Sequence, residues 1–326
     1  VTKPGDVEWE RAKFRFRSSL FVLVTLVDHL YHIHLQTANL FVTSLRETLP
    51  PFHPIRRFLT PFTYQTISIN DNAKFNLVAP RSMGPRCFAF TEKGLELAFA
   101  AAPHIIVPGA SDVFNLRAYI HKLKASGVDT EYWRQALQLY EIMERFVEGY
   151  LQCYYATKSD LVADPDVQRF AEQFFRCAEV ADAASLSRLD APKLHGASKN
   201  ATASDAWDFY VQWITGVMWL VTAGHEQMGA VEVYAQDASW AAFKWSHGKI
   251  RGSKQTATLQ ALLMSFTATP MPKLLGEDWS HLFPPAKASS NGTTPKECFK
   301  KFQAELESMA VKCDDYNAKA STRMFP

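Results

Sequence analysis

The sequence contains no CxxC pair, and its five cysteines (Cys87, Cys153, Cys177, Cys298 and Cys313) form an odd set. That usage argues against a disulfide framework and against a structural zinc. It favours a reducing intracellular compartment, with cytoplasm or plastid both compatible. Two glycosylation triplets, Asn200-Ala-Thr and Asn291-Gly-Thr, arise too often by chance to overturn that inference. Basic clusters are scarce: Arg56-Arg57 and Lys300-Lys301, in a chain of net charge +2. No nucleic-acid footprint is therefore expected. A clean apolar run is also missing. The stretch Trp207 to Ala223 is broken by Asp208, Gln212 and Thr215, whereas a membrane span wants about 20 predominantly apolar residues. A buried core helix, and no transmembrane helix, is the expectation. No signal peptide is visible. The chain begins at Val1 without Met, which leaves room for a leader or an upstream domain.

What is present is a globular composition. Of 326 residues, 47% are apolar and 21% charged, enough for a substantial core. Helical periodicity dominates. In Tyr132–Tyr155 the apolar positions Leu139, Ile142, Met143, Phe146, Tyr150 and Tyr154 follow the spacing of one helix face. Leu161–Val180 is similar, with Asp164-Pro165 as its start signal. Asp205–Gln236, Gln255–Phe266 and Pro295–Asn317 are further helices. Strand candidates are few and short: Thr66–Ile69 and Cys87–Phe90. The polar stretches 185–204 and 276–294 are expected as surface loops of one helical domain spanning residues 1–326.

Residues Val27 to Pro54 hold four histidines: His29, His32, His34 and His53. The apolar pattern from Arg17 to Leu40 is helical. At 3.6 residues per turn, His29 and His34 stand about 140° apart, too far to share a ligand, while His29 and His32 share a face. A π-bulge with i→i+5 bonding would bring His29 over His34, and such bulges cluster at functional sites. His225 follows a very apolar run and must find a hydrogen-bond partner or a metal if buried. Its i+4 neighbour is Gly229, which offers no donor atom.

These residues resemble the lipoxygenase family. Trp9, Ala12 and Lys13 match the WxxAK that opens that family's long central helix. His29 and His34 fall where its first two iron histidines are expected. Arg46, Leu49, His53-Pro54-Ile55, Leu59-Thr60-Pro61, Ile69-Asn70 and Ala73-Lys74 then run parallel to the family pattern. Tyr154-Tyr155, Asp164 and Phe302…Leu306…Asn317 are weaker matches. His225 stands in the place of the third iron histidine. The resemblance implies a mainly α, lipoxygenase-like helical domain, partial because it corresponds to the carboxy-terminal half, with long central helices and few short strands.

The departures fall on the metal site. Gly229 stands where the family has a fourth ligand, Asn or His. The sequence ends at Met324-Phe325-Pro326 without the family's terminal Ile carboxylate. One residue is inserted near Ala38-Asn39, Phe62 replaces a non-ligating histidine, and Glu232 takes the place of a glutamine that supports the ligands. By resemblance, Ala73 would govern stereochemistry, favouring S oxygenation, and Leu77 would shape an oxygen pocket. Ordinary core packing explains those two equally well. The implied cofactor is iron on His29, His34 and His225, or no metal at all. The implied function is a lipoxygenase-like protein with a degenerate site, a non-catalytic or structural subunit of a larger assembly. The alternatives are an active non-haem iron dioxygenase of polyunsaturated lipids and a drifted three-histidine metalloenzyme. A protein partner is expected over the surface that the family's other half would cover. His32 is expected to be a bystander and His53 a structural residue held by Pro54.

Overall fold

Threonine and aspartate set the starts of the principal helices. The computed structural model describes residues 2–6, 8–82, 91–104, 116–181, 202–226, 244–246, 249–251, 272–286 and 292–319. Helix α1 (Trp9–Phe21) runs into a wide-turn π segment, Val22–Ala38, and then into α2 (Asn39–Thr48). There follow α3 (Pro54–Phe58), α4 (Thr66–Ala73) with a π turn at Lys74–Val78, α5 (Glu92–Ala101) and α6 (Leu116–Ala125). Next come α7 (Glu131–Gln152), α8 (Lys158–Val162), α9 (Pro165–Val180) and α10 (Ala203–Trp219). A hairpin of β1 (Lys244–Ser246) and β2 (Lys249–Arg251) precedes α11 (Pro295–Lys319). Thr157 with Asp160, and Thr202 with Asp205, form reciprocal capping boxes at α8 and α10. Asp164 accepts from the Asp166 and Val167 N–H groups, and Pro165 opens α9. Each such cap contributes about 1 kcal/mol.

The architecture is mainly α, as expected, with few short strands. The strand expectation at Thr66–Ile69 fails, because this segment is helical. Its β-branched residues suggested a strand, but propensity is a weak prior against tertiary contact. The helix instead turns buried Asn70 onto His34. The antiparallel hairpin, pairing Trp245 with Ile250, was not foreseen. Cys87–Phe90, Gln255–Phe266 and most of 185–204 lie outside the described residues. Within 276–294, the described residues form a loop with one 3-10 turn at Ser280–Leu282.

Contacts group the chain into two compact units. The first takes Val1–Leu35, Gln65–Ile105 and His225–Pro270. Its core joins Leu26, Leu30 and Leu95, with Phe21, Leu35, Leu77, Val78 and Phe99 packed around them. The second takes Gln36–Tyr64, Ile106–Gly224 and Met271–Pro326. Here Phe41, Phe170 and Phe174 surround Trp213, and Phe146 stacks on Phe302 at 4.3 Å between α7 and α11.

Among the described residues, the Trp207–Ala223 run is not the one long and apolar enough to cross a membrane. The continuous stretch Trp9–Thr48 is long and apolar enough to cross a membrane, judged by length and composition alone. Its centre packs Leu26, Val27, Leu30 and Ile33, and also buries His29, His32 and Gln36. Such polar groups are costly in hydrocarbon, so the pattern is that of a core helix.

Candidate metal centre

Two wide turns deliver the histidines. The Val22–Ala38 segment carries i→i+5 geometry throughout, which turns His29 and His34 to one side as that spacing requires. A second π turn, Leu220–Gly224, leads directly into His225. Gly224 belongs there for steric reasons. A Cβ on it would lie 2.8 Å from the Trp219 ring, which is itself buried.

The three imidazoles converge through their Nε2 atoms. His29 to His225 is 2.9 Å, His34 to His225 is 2.8 Å and His34 to His29 is 3.2 Å. The rings splay, with interplanar angles of 83°, 55° and 72°. His32 stays outside this trio, its ring edge-on to Tyr31. The α-periodic pair suggested by simple spacing is therefore the wrong one, and the i, i+5 pair is the one assembled.

Hydrogen bonds outside the trio fix which nitrogens face inward. Asn70 is buried and donates its amide N–H to the His34 carbonyl oxygen at 2.7 Å. That orients its Oδ1 toward His34 Nδ1 at 2.8 Å. The ring N–H must therefore sit on Nδ1, because Oδ1 can only accept. His34 Nε2 is left as a bare lone pair. His29 is likewise hydrogen-bonded to the Thr25 backbone. His225 turns Nδ1 toward Glu226 Oε2 at 3.7 Å, and that neighbour holds the Glu226 carboxyl below its ordinary value. Glu226 thus lies against the outer nitrogen of His225, not among the inward ones.

Electrostatics keep the His29 and His34 rings neutral. Burial pushes His29 well below the usual histidine value, and His225 and His34 push it further. Burial and then His225 bring His34 down to about 4, against an opposing contribution from Asn70. Neutral imidazole is the form that ligates a transition metal. The donor set fits such an ion. With metal–nitrogen bonds of about 2.1 Å, ligands at right angles stand about 3.0 Å apart and tetrahedral ones about 3.4 Å. The observed separations of 2.8 to 3.2 Å match three ligands on one octahedral face. Asn70→Leu should lower metal affinity about 10- to 100-fold, while Asn70→Asp, which still accepts from Nδ1–H, should retain it. Competition titration with cobalt(II) against a chelator checks this, and equal affinity in both variants would refute it.

The other expected site residues divide. Gly229 and Glu232 lie outside the described residues. Leu77 packs in the cluster of Leu26 and Leu30, on the same helix as His29, and Ala73 closes α4 ahead of it. Sequence reasoning did not single out Asn70 as a site residue, since a lone asparagine on a short segment carries no periodic signal. It also passed over Asp28. That carboxyl has an oxygen buried without a hydrogen-bond partner among the described residues, and burial raises it to about 7.

A second cluster, His53, Asp164 and Asp166, is a structural clasp. His53 Nδ1 accepts from the Ile55 N–H, so its Nε2 donates to Asp164 Oδ2 at 3.3 Å. Tyr155 donates to the same oxygen at 2.9 Å. Arg169 pairs with Asp166. Both His53 nitrogens and both Asp164 oxygens are thus already engaged by protein groups.

Comparison with known proteins gives a coherent picture. The family model described as Lipoxygenase matches residues 2–105. The mouse epidermal-type polyunsaturated fatty acid (12S)/(13S)-lipoxygenase is 29% identical over 196 residues, covering 57% of this chain and 27% of that protein. The pig polyunsaturated fatty acid lipoxygenase ALOX15 is 30% identical over 170 residues, covering 51% and 25%. Among solved structures, the Delta413-417:GS LOX crystal structure superposes with TM-score 0.71 at 16% identity, covering 98% of this chain and 47% of that one. Coral 8R-lipoxygenase gives 0.68 at 15%, covering 97% and 47%. The chain thus spans about a quarter of the curated relatives and about half of the solved chains, and the structural likeness is one of fold.

Proposed function

Since this chain is a relative of the lipoxygenases, we propose that it holds iron on His29, His34 and His225 and acts on polyunsaturated lipid as a dioxygenase. The observation that carries the reading is the convergence of three inward Nε2 atoms within 3.2 Å, with the His29 and His34 rings held neutral and the His34 tautomer fixed from outside. A bound cation would satisfy the inward His34 lone pair and the two imidazole nitrogens that face it. When bound, iron would supply one-electron chemistry toward a bis-allylic carbon–hydrogen bond, as the resemblance implies. The chain's own residues perform the supporting work. Asn70 keeps the His34 proton on the outer nitrogen. The cluster of Leu26, Leu30, Leu77 and Leu95 packs along the His29 helix as an apolar core that keeps water from that side of it.

One sequence feature favours a second reading. Gly229 removes the fourth protein ligand, so a non-catalytic, metal-binding relative working as a subunit of a larger assembly follows if three histidines prove insufficient. That reading includes a protein partner over exposed apolar side chains such as Phe16, Ile67, Phe75 and Leu97; a protein that sediments as a monomer alone and with cell extract would remove the partner. Anaerobic loading with ferrous iron, metal analysis and then the conjugated-diene absorbance of a polyunsaturated fatty acid test the proposal. Stoichiometric iron with diene formation is the expected result. Iron without diene leaves the second reading, and no bound metal removes the dioxygenase reading while leaving a non-catalytic subunit that has lost its metal.

A further inference from the structure

Two thiols meet far from the histidines in sequence, and nothing in the metal chemistry uses them. Cys153 sits at the carboxy end of α7, and Cys298 lies in the first turn of α11. Their Sγ atoms are 3.7 Å apart, in van der Waals contact. The frame around them is stiff: Phe146 of α7 stacks on Phe302 of α11 and packs against Phe299. The two sulfurs are thus presented to each other by packed helices. A bond between them requires closing by about 1.7 Å to the disulfide length, within the reach of small side-chain rotations.

The surroundings of the two differ. Cys153 is buried, and its thiol is directed at the Gly149 and Thr293 carbonyl oxygens at 3.3 and 3.4 Å. Carbonyl acceptors favour the protonated thiol. Cys298 is partly exposed and lies near a helix start, where Thr294 and Glu297 cap each other. Helix amino ends favour thiolate. The directions agree: contact with Cys298 and burial push Cys153 up, while the hydrogen bond from Cys153 brings Cys298 down.

We propose that Cys153 and Cys298 form a reversible dithiol–disulfide couple oxidised by hydroperoxides, with Cys298 as the attacking sulfur and Cys153 as the resolving one. The Cys298 thiolate attacks the outer peroxide oxygen and the O–O bond breaks. Cys298 becomes a sulfenic acid, and the departing alkoxide takes a proton to leave as an alcohol. The Cys153 sulfur then attacks the Cys298 sulfur. The S–O bond breaks, the S–S bond forms, and hydroxide leaves with the Cys153 proton as water. Two thiols have lost two electrons and two protons, and the hydroperoxide has become an alcohol and water. The bond ties the start of α11 to the end of α7 and closes a loop of 145 residues. The couple is independent of the metal reading.

The test treats the full chain with a slight excess of hydrogen peroxide, blocks remaining thiols and maps peptides without reduction. The expected product lacks two hydrogens and yields one cross-linked peptide joining Cys153 to Cys298, reversed by dithiothreitol. Its melting temperature rises by on the order of 5 °C, as a long-loop closure predicts. In Cys153→Ser, which removes the resolving sulfur, dimedone should trap a sulfenic acid at Cys298. Separate over-oxidation of the two cysteines in the wild type, or cross-links through Cys177 or Cys313 in their place, would overturn the proposal. Should Cys153→Ser not fold, the wild-type peptide map decides alone.

Discussion

Replacing His34 with alanine should abolish stoichiometric metal binding. Loss of a group behind a ligand costs about 10- to 100-fold in affinity, and loss of a ligand should exceed the upper figure. His34 is the most telling of the three because its lone pair is the one the surrounding bonds fix most firmly, through Asn70. Removing the ring also takes away the Nδ1–H that the Asn70 oxygen accepts, a hydrogen bond of about 0.5–1.5 kcal/mol. Stability and affinity can be separated by melting each protein with and without metal. A ligand at 1,000 times its dissociation constant adds about 4 kcal/mol to the folded state, so the wild type should melt higher with cobalt(II) or iron(II) and His34→Ala should not. His32→Asn, three residues from His29 but outside the trio, should keep the metal-dependent rise. An unchanged rise in His34→Ala would remove the centre as drawn.

Asp164→Ala should cost the second-largest amount, and it should do so without touching the metal. The side chain caps α9 through two backbone N–H groups and accepts from His53 and Tyr155. The cap contributes about 1 kcal/mol and hydrogen bonds to a charged group about 1.5–3 kcal/mol, so a total of about 3 kcal/mol is expected. The pH dependence has a definite sign. Burial alone would raise this carboxyl, but bonds from His53, Tyr155 and the Asp166 backbone hold it at about 2 against an ordinary 3.8. A depressed carboxyl binds fewer protons folded than unfolded. Its contribution is therefore complete above about pH 4 and fades as pH falls toward 2. Urea melts of wild type and variant from pH 7 to pH 2.5 should converge toward the acid end. A constant gap across that range would refute the assignment.

Much of this could be anticipated from the residues alone, and the reasons for the misses are specific. The helices that bury one face announce themselves. Ile142, Met143, Phe146 and Tyr150 are periodic and buried, and Asp164-Pro165 opens a helix where the sequence placed a start. The histidine pair was legible only because the five-residue spacing was weighed against the turn that would be needed to use it. Periodicity alone favoured His29 with His32. Asn70 was hidden by its setting. Thr66, Ile67 and Ile69 suggest a strand, and only the contact with His34, 36 residues away, gives the segment its shape. The hairpin at Lys244–Arg251 has no strong alternation to mark it.

The wide-turn segment ends at Ala38, where the resemblance to the family implies one inserted residue. In an ordinary helix, a single inserted amino acid rotates everything beyond it by about 100° and scrambles which side chains face inward. A stretch already bonded i→i+5 can take up such a length change as girth instead of rotation. Were a residue gained or lost there, the wide turns would keep the liganding side in line, with Phe41, Val42 and Leu45 still buried beyond it as they are here.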